Sequence, residues 1–215
     1  MIPSPADFLR EIHSSELPLD EKQAQMAAEF AHILHRENEE QNLTRILGTK
    51  EFVDGHLRDA VELLGSPTLG RRILDVGSGS GVPGLLAAAL CAESDRVWFL
   101  TESEKSKSDY LGRAAQELGL QRVAVLGKRT EEVIDLVKPD TVIARAVGPV
   151  ERIAAWIWNC STWNNLILFK SKGWEQEWKG AQTTRFGKKL TVIHTHEYSF
   201  EDKKRLLISL KRKSG

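Results

Sequence analysis

The residues with the most chemistry in their spacing are Asp75-Val-Gly77-Ser-Gly79-Ser-Gly81-Val-Pro83-Gly84. They follow a short β-rich run, Ile73 to Val76, and open an apolar helical run, Leu85 to Cys91. Glycines at a strand-to-helix turn let the backbone take positive φ and let a ligand approach the main chain. The free N–H groups and the helix dipole at such a turn favour an anionic or electron-rich group. A second signal is Glu102, which closes the next strand candidate, Val97 to Thr101. An acid there, roughly 20 residues beyond the glycines, can accept both hydroxyls of a ribose.

Two cofactors could use such a turn. Gly79, Gly81 and Gly84 match the dinucleotide pattern G-x-G-x-x-G. Gly77, Gly79 and Gly81 instead match the turn of an S-adenosylmethionine site, and placement favours this second reading. Counted from Gly77, at the strand's end, the third glycine of a dinucleotide site would be Val82. Pro83 lacks an N–H where a pyrophosphate would want donors, and it suits the first helical turn. A tight structural turn is the plain alternative.

The elements around these residues read as follows. The first third is helical. Asp20 and Gln23 resemble a capping box, and Met26, Phe30, Ile33 and Leu34 share a helix face. A second helix starts with Thr49 as N-cap, carries the stripe Val53, Leu57, Ala60, Val61 and Leu64, and stops at Gly65-Ser66-Pro67. From Arg71, strands alternate with helices. Strands are expected at 97–100, 122–126, 141–144 and 166–169, and helices at 103–118, 130–137 and 150–158. Such βα units imply a parallel sheet covered on both faces. The pattern breaks at the Trp- and Lys-rich stretch 171–189. Leu190–Thr195 and Arg205–Leu210 then read as an antiparallel terminal hairpin. The fold class is therefore α/β, a Rossmann-like sheet with an antiparallel terminal strand and an N-terminal helical extension; the favoured reading of the turn makes it the class I S-adenosylmethionine-dependent methyltransferase kind. The division is residues 1–66 for the extension, packed on the core, and 67–215 for the catalytic domain.

Composition narrows the classes. The chain has 215 residues, 41% hydrophobic and 28% charged, enough for one mid-sized domain with a sizeable core. Lys plus Arg and Asp plus Glu are both 30, so nucleic acid is not held by bulk attraction and any basic patch must be local. Cys91 and Cys160 form no metal or disulfide spacing, which fits a reducing compartment. No apolar run approaches the ~18 residues of a membrane span, and no secretory signal is visible near Met1. A soluble cytoplasmic protein is expected.

The whole pattern resembles the bacterial 16S rRNA guanine-N7 methyltransferases (small-subunit rRNA methyltransferase G, or glucose-inhibited division protein B), from about residue 20 to 211. Asn42-Leu43-Thr44, His56-Leu57 and Asp59 resemble the family's N-terminal signature. Asp75 to Gly84 resembles its DVGTGxGxPG, and the Pro-Gly ending is more specific than a generic methyltransferase turn. Lys128-Arg129-Thr130-Glu131-Glu132, Ala144-Arg145-Ala146, Phe169-Lys170 and Arg205-Leu206 resemble its later motifs. The sequence departs at Gly55, where the family has Arg, at Glu102 for Asp, and at Ser171-Lys172 for two small residues.

The resemblance implies methyl transfer from S-adenosylmethionine to N7 of a guanine in the 530 loop of 16S rRNA. Guanine N7 is an acceptor without a proton, so no general base is needed. Orientation carries the load, on the order of 7–11 kcal/mol in favourable cases. Gly77, Ser78, Gly79, Gly81, Val82, Glu102, Thr130, Glu131 and Arg145 are the expected cofactor contacts. Arg145, Arg129 and Lys170 are the expected catalytic-site residues, with Arg145 on the cofactor carboxylate or an RNA phosphate. Lys107, Arg129, Lys170 and Arg205 are expected to converge on RNA phosphates. The expected partner is 16S rRNA or a small ribosomal subunit particle, bound by a monomer with no metal and no membrane. A methyltransferase acting on another RNA or a small molecule, an NAD-dependent oxidoreductase and a non-catalytic RNA-binding paralogue are the alternatives.

Overall fold

The computed structural model describes residues 2–200 and 203–213. Two capped helices lead. Ser4 and Asp7 cap α1 (Pro5–Ser14) reciprocally, and Asp20 and Gln23 cap α2 (Glu21–Gln41) in the same way. Asn42 ends α2 in the left-handed conformation, at φ 52°.

The next helix departs from its expected form. Thr49 is its first helical residue rather than its cap, and Gly48 precedes it with no side-chain cap. The short α3 (Thr49–Glu51) widens into a π-helical stretch, Phe52–Leu57, before regular turns resume in α4 (Arg58–Leu64). The wider turn shifts the buried stripe. Val53, Leu57, Ala60 and Leu63 are buried, whereas Val61 and Leu64 are only half-buried. It also turns His56 and Asp59 inward, consistent with the tendency of π-bulges to mark functional sites.

The sheet has seven strands in the order β3-β2-β1-β4-β5-β7-β6. These are β1 (Arg72–Val76), β2 (Val97–Thr101), β3 (Val123–Leu126), β4 (Thr141–Arg145), β5 (Asn165–Ser171), β6 (Leu190–Phe200) and β7 (Lys203–Arg212). The first five are parallel, and β7 runs antiparallel between β5 and β6. Helices α5 (Gly84–Leu90) and α6 (Lys105–Glu117) pack with α1 and α2 on one face. Helices α7 (Thr130–Val137), α8 (Val150–Ile157) and α9 (Trp174–Ala181) cover the other. The 171–189 stretch is thus a helix and a short 3-10 turn, and the terminal strands run longer than their apolar centres suggested.

Register positions the site. Val76 stands opposite Thr101 on one side and Ala144 on the other. Arg145 stands opposite Phe169, which stands opposite Leu207. Gly77, Glu102, Arg145 and Lys170 therefore all lie at one carboxyl edge. Strand order reverses between β1 and β4, and open sheets bind ligands at such a point.

The Asp20 cap is a self-contained part of this scaffold. Asp20→Ala is expected to cost about 1 kcal/mol, lowering the melting temperature by roughly 2–4 °C for a chain of this size. An unchanged thermal melt would contradict the capping role.

Candidate active site

Asp75, at the end of β1, is 1% exposed, and its Oδ2 has no hydrogen-bond partner among the described residues. Burial is the main cause that pushes its carboxyl up to about 7. A Cβ at Gly84 would lie 2.3 Å from that Oδ2, so only glycine fits there. The Pro-Gly ending of the turn thus answers to the buried acid. The Asp75 carbonyl accepts from Thr101 Oγ1 at 2.9 Å, and Thr101 Oγ1 meets Thr130 Oγ1 at 2.7 Å. This chain ties the ends of β1 and β2 to the start of α7.

Gly77 takes φ 64°, and a Cβ there would come 3.2 Å from Val147 Cγ2. The bare backbone faces a cavity of about 270 Å³ bounded by Gly77, Glu102, Arg129, Thr130, Glu131 and Trp156, with Thr101 and Val147 behind. Glu102 Oε2 accepts from the Gly79 N–H at 3.1 Å, and Oε1 accepts from the Glu104 N–H at 2.8 Å. Its carboxylate is thereby fixed at the cavity's side, beside the glycine turn.

Not every expected contact lines this cavity. The Ser78 and Val82 side chains are buried, and the Ser78 N–H is spent on the Thr101 carbonyl at 3.0 Å. Gly81 packs against Leu85 and Leu111. Arg145 lies on the other side of the β4 exit. Trp156, read from sequence as packing, forms part of the wall.

A second cavity, of about 450 Å³, is lined by Arg145, Lys170, Arg205, Phe169, Trp174 and Tyr198, among others. At its base lies Asp59, 1% exposed. Asp59 Oδ1 accepts from Arg205 at 2.6 Å and from the Tyr198 hydroxyl at 2.7 Å, and its Oδ2 lies 3.1 Å from Arg145. Arg205 also donates to the Gly55 carbonyl at 3.0 Å. Arg145 reaches His56 Nδ1 at 3.3 Å. Burial, then Arg145 and Arg205, hold the His56 imidazole well below its ordinary value, so it is neutral. Lys170 pairs with Glu177 at 2.7 Å, and Glu177 also accepts from the Val150 N–H at 2.9 Å.

The four basic residues expected on one RNA-facing edge are therefore divided. Lys170 and Arg205 share the second cavity, and Arg129 borders the first. Lys107 borders neither, because α6 begins at Lys105 and its first turn pairs Lys107 with Glu104 at 2.7 Å. Sequence reasoning placed Asp59 and His56 only within a family signature and passed over Tyr198 and Glu177. An acid within an apolar helical stripe was the available signal.

The two cavities flank one loop. Ala146 and Gly148 border the second and Val147 the first. Ala146 holds φ 57°, a left-handed conformation that costs a residue with a side chain about 1–2 kcal/mol. A sheet edge with a bare glycine turn, a fixed acid and a neighbouring basic pocket suits a nucleoside cofactor beside an anionic substrate.

Residues 23–208 match the family described as GidB, rRNA small subunit methyltransferase G. The chain belongs to this family. It is 33% identical over 175 residues to the ribosomal RNA small subunit methyltransferase G of Rhodopirellula baltica, covering 80% of this chain and 74% of that one. Among solved structures it resembles the Bacillus subtilis tRNA methyltransferase TrmK, with TM-score 0.59 and 12% identity over 73% of this chain and 66% of that one. It also resembles a mutant of MtNAS in complex with S-adenosylmethionine, with TM-score 0.57 and 14% identity over 96% and 88% of the two chains. These structural likenesses are of fold. The rRNA methyltransferase G family uses S-adenosylmethionine, and the donor set here fits that group: the Gly77 backbone that a Cβ would crowd, and the fixed Glu102 carboxylate. Among the described residues, no helix is long and apolar enough to cross a membrane.

The buried Asp75 leaves a signature in stability. Its folded-state value lies above the ordinary 3.8, so the folded chain holds the extra proton between about pH 4 and about pH 7. Stability from this group is present at low pH and falls as pH rises through that window. In cofactor-free protein, Asp75→Asn is expected to lose less melting temperature than wild type between about pH 5 and about pH 8. Parallel pH curves would contradict the buried, protonated acid.

Proposed function

We propose that this chain transfers a methyl group from S-adenosylmethionine to N7 of a guanine in the 530 loop of 16S rRNA. The observation that carries the reading is the pair of cavities on either side of the loop at residues 145–148. One presents the glycine turn and Glu102, the other four basic residues, Arg145, Lys170, Lys172 and Arg205, with Phe169, Trp174 and Tyr198 among its walls. The first would hold the cofactor, with Glu102 on the ribose hydroxyls and Thr130 and Glu131 beside the adenine. The second would hold the base, turned out of its strand, and its phosphates.

When bound, S-adenosylmethionine supplies an electrophilic methyl group on a sulfonium. This chain's residues bind, orient and exclude water. N7 has a lone pair and no proton, so no side chain has to take one, and neutral His56 is spared that task. Arg145, committed to Asp59 and His56, stays off the N7 lone pair and off the sulfonium. Arg129 would serve the mouth of the cofactor cavity. Attack by N7 asks for no metal.

The helical extension, 1–66, and the catalytic domain, 67–215, are proposed to act as one unit, because Asp59 and His56 come from the first and Arg145 and Arg205 from the second. A 16S rRNA or small-subunit substrate places the work in the cytoplasm.

The test is transfer of labelled methyl groups to unmodified 16S rRNA, with the product mapped for N7-methylguanine. Label confined to the 530 loop is expected. Glu102→Gln is expected to weaken S-adenosylhomocysteine binding by about tenfold or more, as loss of charge-assisted hydrogen bonds does. Label elsewhere, or none, would refute the substrate. Unchanged cofactor affinity would refute the role of Glu102.

A further inference from the structure

The second cavity contains a charge arrangement that the transfer reaction does not itself call for. Two guanidinium groups arrive from different strands, Arg145 from the end of β4 and Arg205 from β7. Side by side they repel. One carboxylate, Asp59 of α4, lies beneath both, with separate oxygens toward each. Two positive groups thus share one buried carboxylate. Around it the alignment is reinforced: Tyr198, opposite Arg205 in the hairpin, donates to Asp59, and the Gly55 carbonyl of the π-helical stretch accepts from Arg205. His56 Nδ1 accepts from Arg145, which leaves its Nε2 proton for Thr44 Oγ1 at 2.9 Å. Lys170 is paired with Glu177, and Lys172 lies exposed on the same lining, outside the trio.

Asp59 is too deeply buried to touch RNA. Its effect must pass through the arginines. Resting on the functional reading above, we propose that Asp59 is a positioning residue for RNA: it holds Arg145 and Arg205 in line so that their guanidinium groups meet a phosphate next to the target guanine. The carboxylate thus strengthens the binding of an anion although it is itself an anion. Arginine suits this duty, since a guanidinium can bond a carboxylate with one edge and face a phosphate with another.

That apparent contradiction supplies the test. If the cavity acted only through its total charge, Asp59→Asn would bind RNA more tightly and with a steeper salt dependence. Alignment predicts the opposite sign. The probe is a transcript of the unmodified 530 loop, titrated by fluorescence anisotropy at several salt concentrations, with S-adenosylhomocysteine affinity, KM and kcat measured alongside. For Asp59→Asn the expected result is RNA affinity weaker by about tenfold, a raised KM, and a salt slope smaller by about one phosphate contact. Cofactor affinity stays within about twofold. Tyr198→Phe keeps the carboxylate and loses one hydrogen bond, so it carries the test even if the first variant does not fold. Its RNA affinity is expected to fall by about threefold at unchanged cofactor affinity. Tighter RNA binding by Asp59→Asn, or wild-type RNA affinity in both variants whatever their melting temperatures, overturns the alignment. Wild-type protein that neither binds nor methylates the transcript overturns the functional reading, and the alignment with it.

Discussion

A carboxylate buried beneath two arginines ties together the elements at the carboxyl edge of this sheet. Taking a charge out of water is unfavourable unless partners compensate it closely. Asp59 has three such partners, from β4, β6 and β7, while its own helix belongs to the N-terminal segment. The helices before residue 66 and the hairpin after residue 190 are therefore parts of one site. The π-helical turn serves the same end, since it brings Gly55, His56 and Asp59 to a single inward face.

In the proposed reading the edge serves two ligands without mixing their charges. The sulfonium of the cofactor is a cation, and an uncompensated arginine next to it would be repelled. Arg145 lies on the far side of the strained loop at Ala146, committed to Asp59 and His56. On the near side are a bare backbone, a glutamate fixed by two N–H groups, and a buried Asp75 that burial favours in its neutral form near pH 7. N7 of guanine asks for no base, and no titratable group of ordinary pKa has to be poised between the cavities.

Much of this was legible in the sequence for local reasons. The alternation of strands and helices, the Asp20 cap and the Asp75–Gly84 turn are written in adjacent residues, and that alternation implies a parallel sheet with an antiparallel terminal hairpin. Glu102 could be placed because it ends a strand beside that turn. The second cavity was harder, because its members are far apart in sequence: Asp59, Arg145, Tyr198 and Arg205 meet only through register. A π turn has no clear pattern in a single sequence, so the stripe through Val61 and Leu64 was misplaced by the extra residue. Lys107 was expected among the RNA contacts from the family resemblance, but it pairs with Glu104 and borders neither cavity. Gly84, noted in the sequence as the turn's Pro-Gly ending, answers to Asp75.

The central claim is that the glycine turn and Glu102 take the cofactor while the arginine cavity is kept for RNA. Crystals grown with S-adenosylhomocysteine test it most directly. The account predicts ribose hydroxyls on the Glu102 carboxylate, the adenine against Thr130 and Trp156, and the space between Arg145, Arg205 and Lys170 left clear of the nucleoside. A nucleoside seated among those three basic residues, with Glu102 still bound only to Gly79 and Glu104, would contradict it.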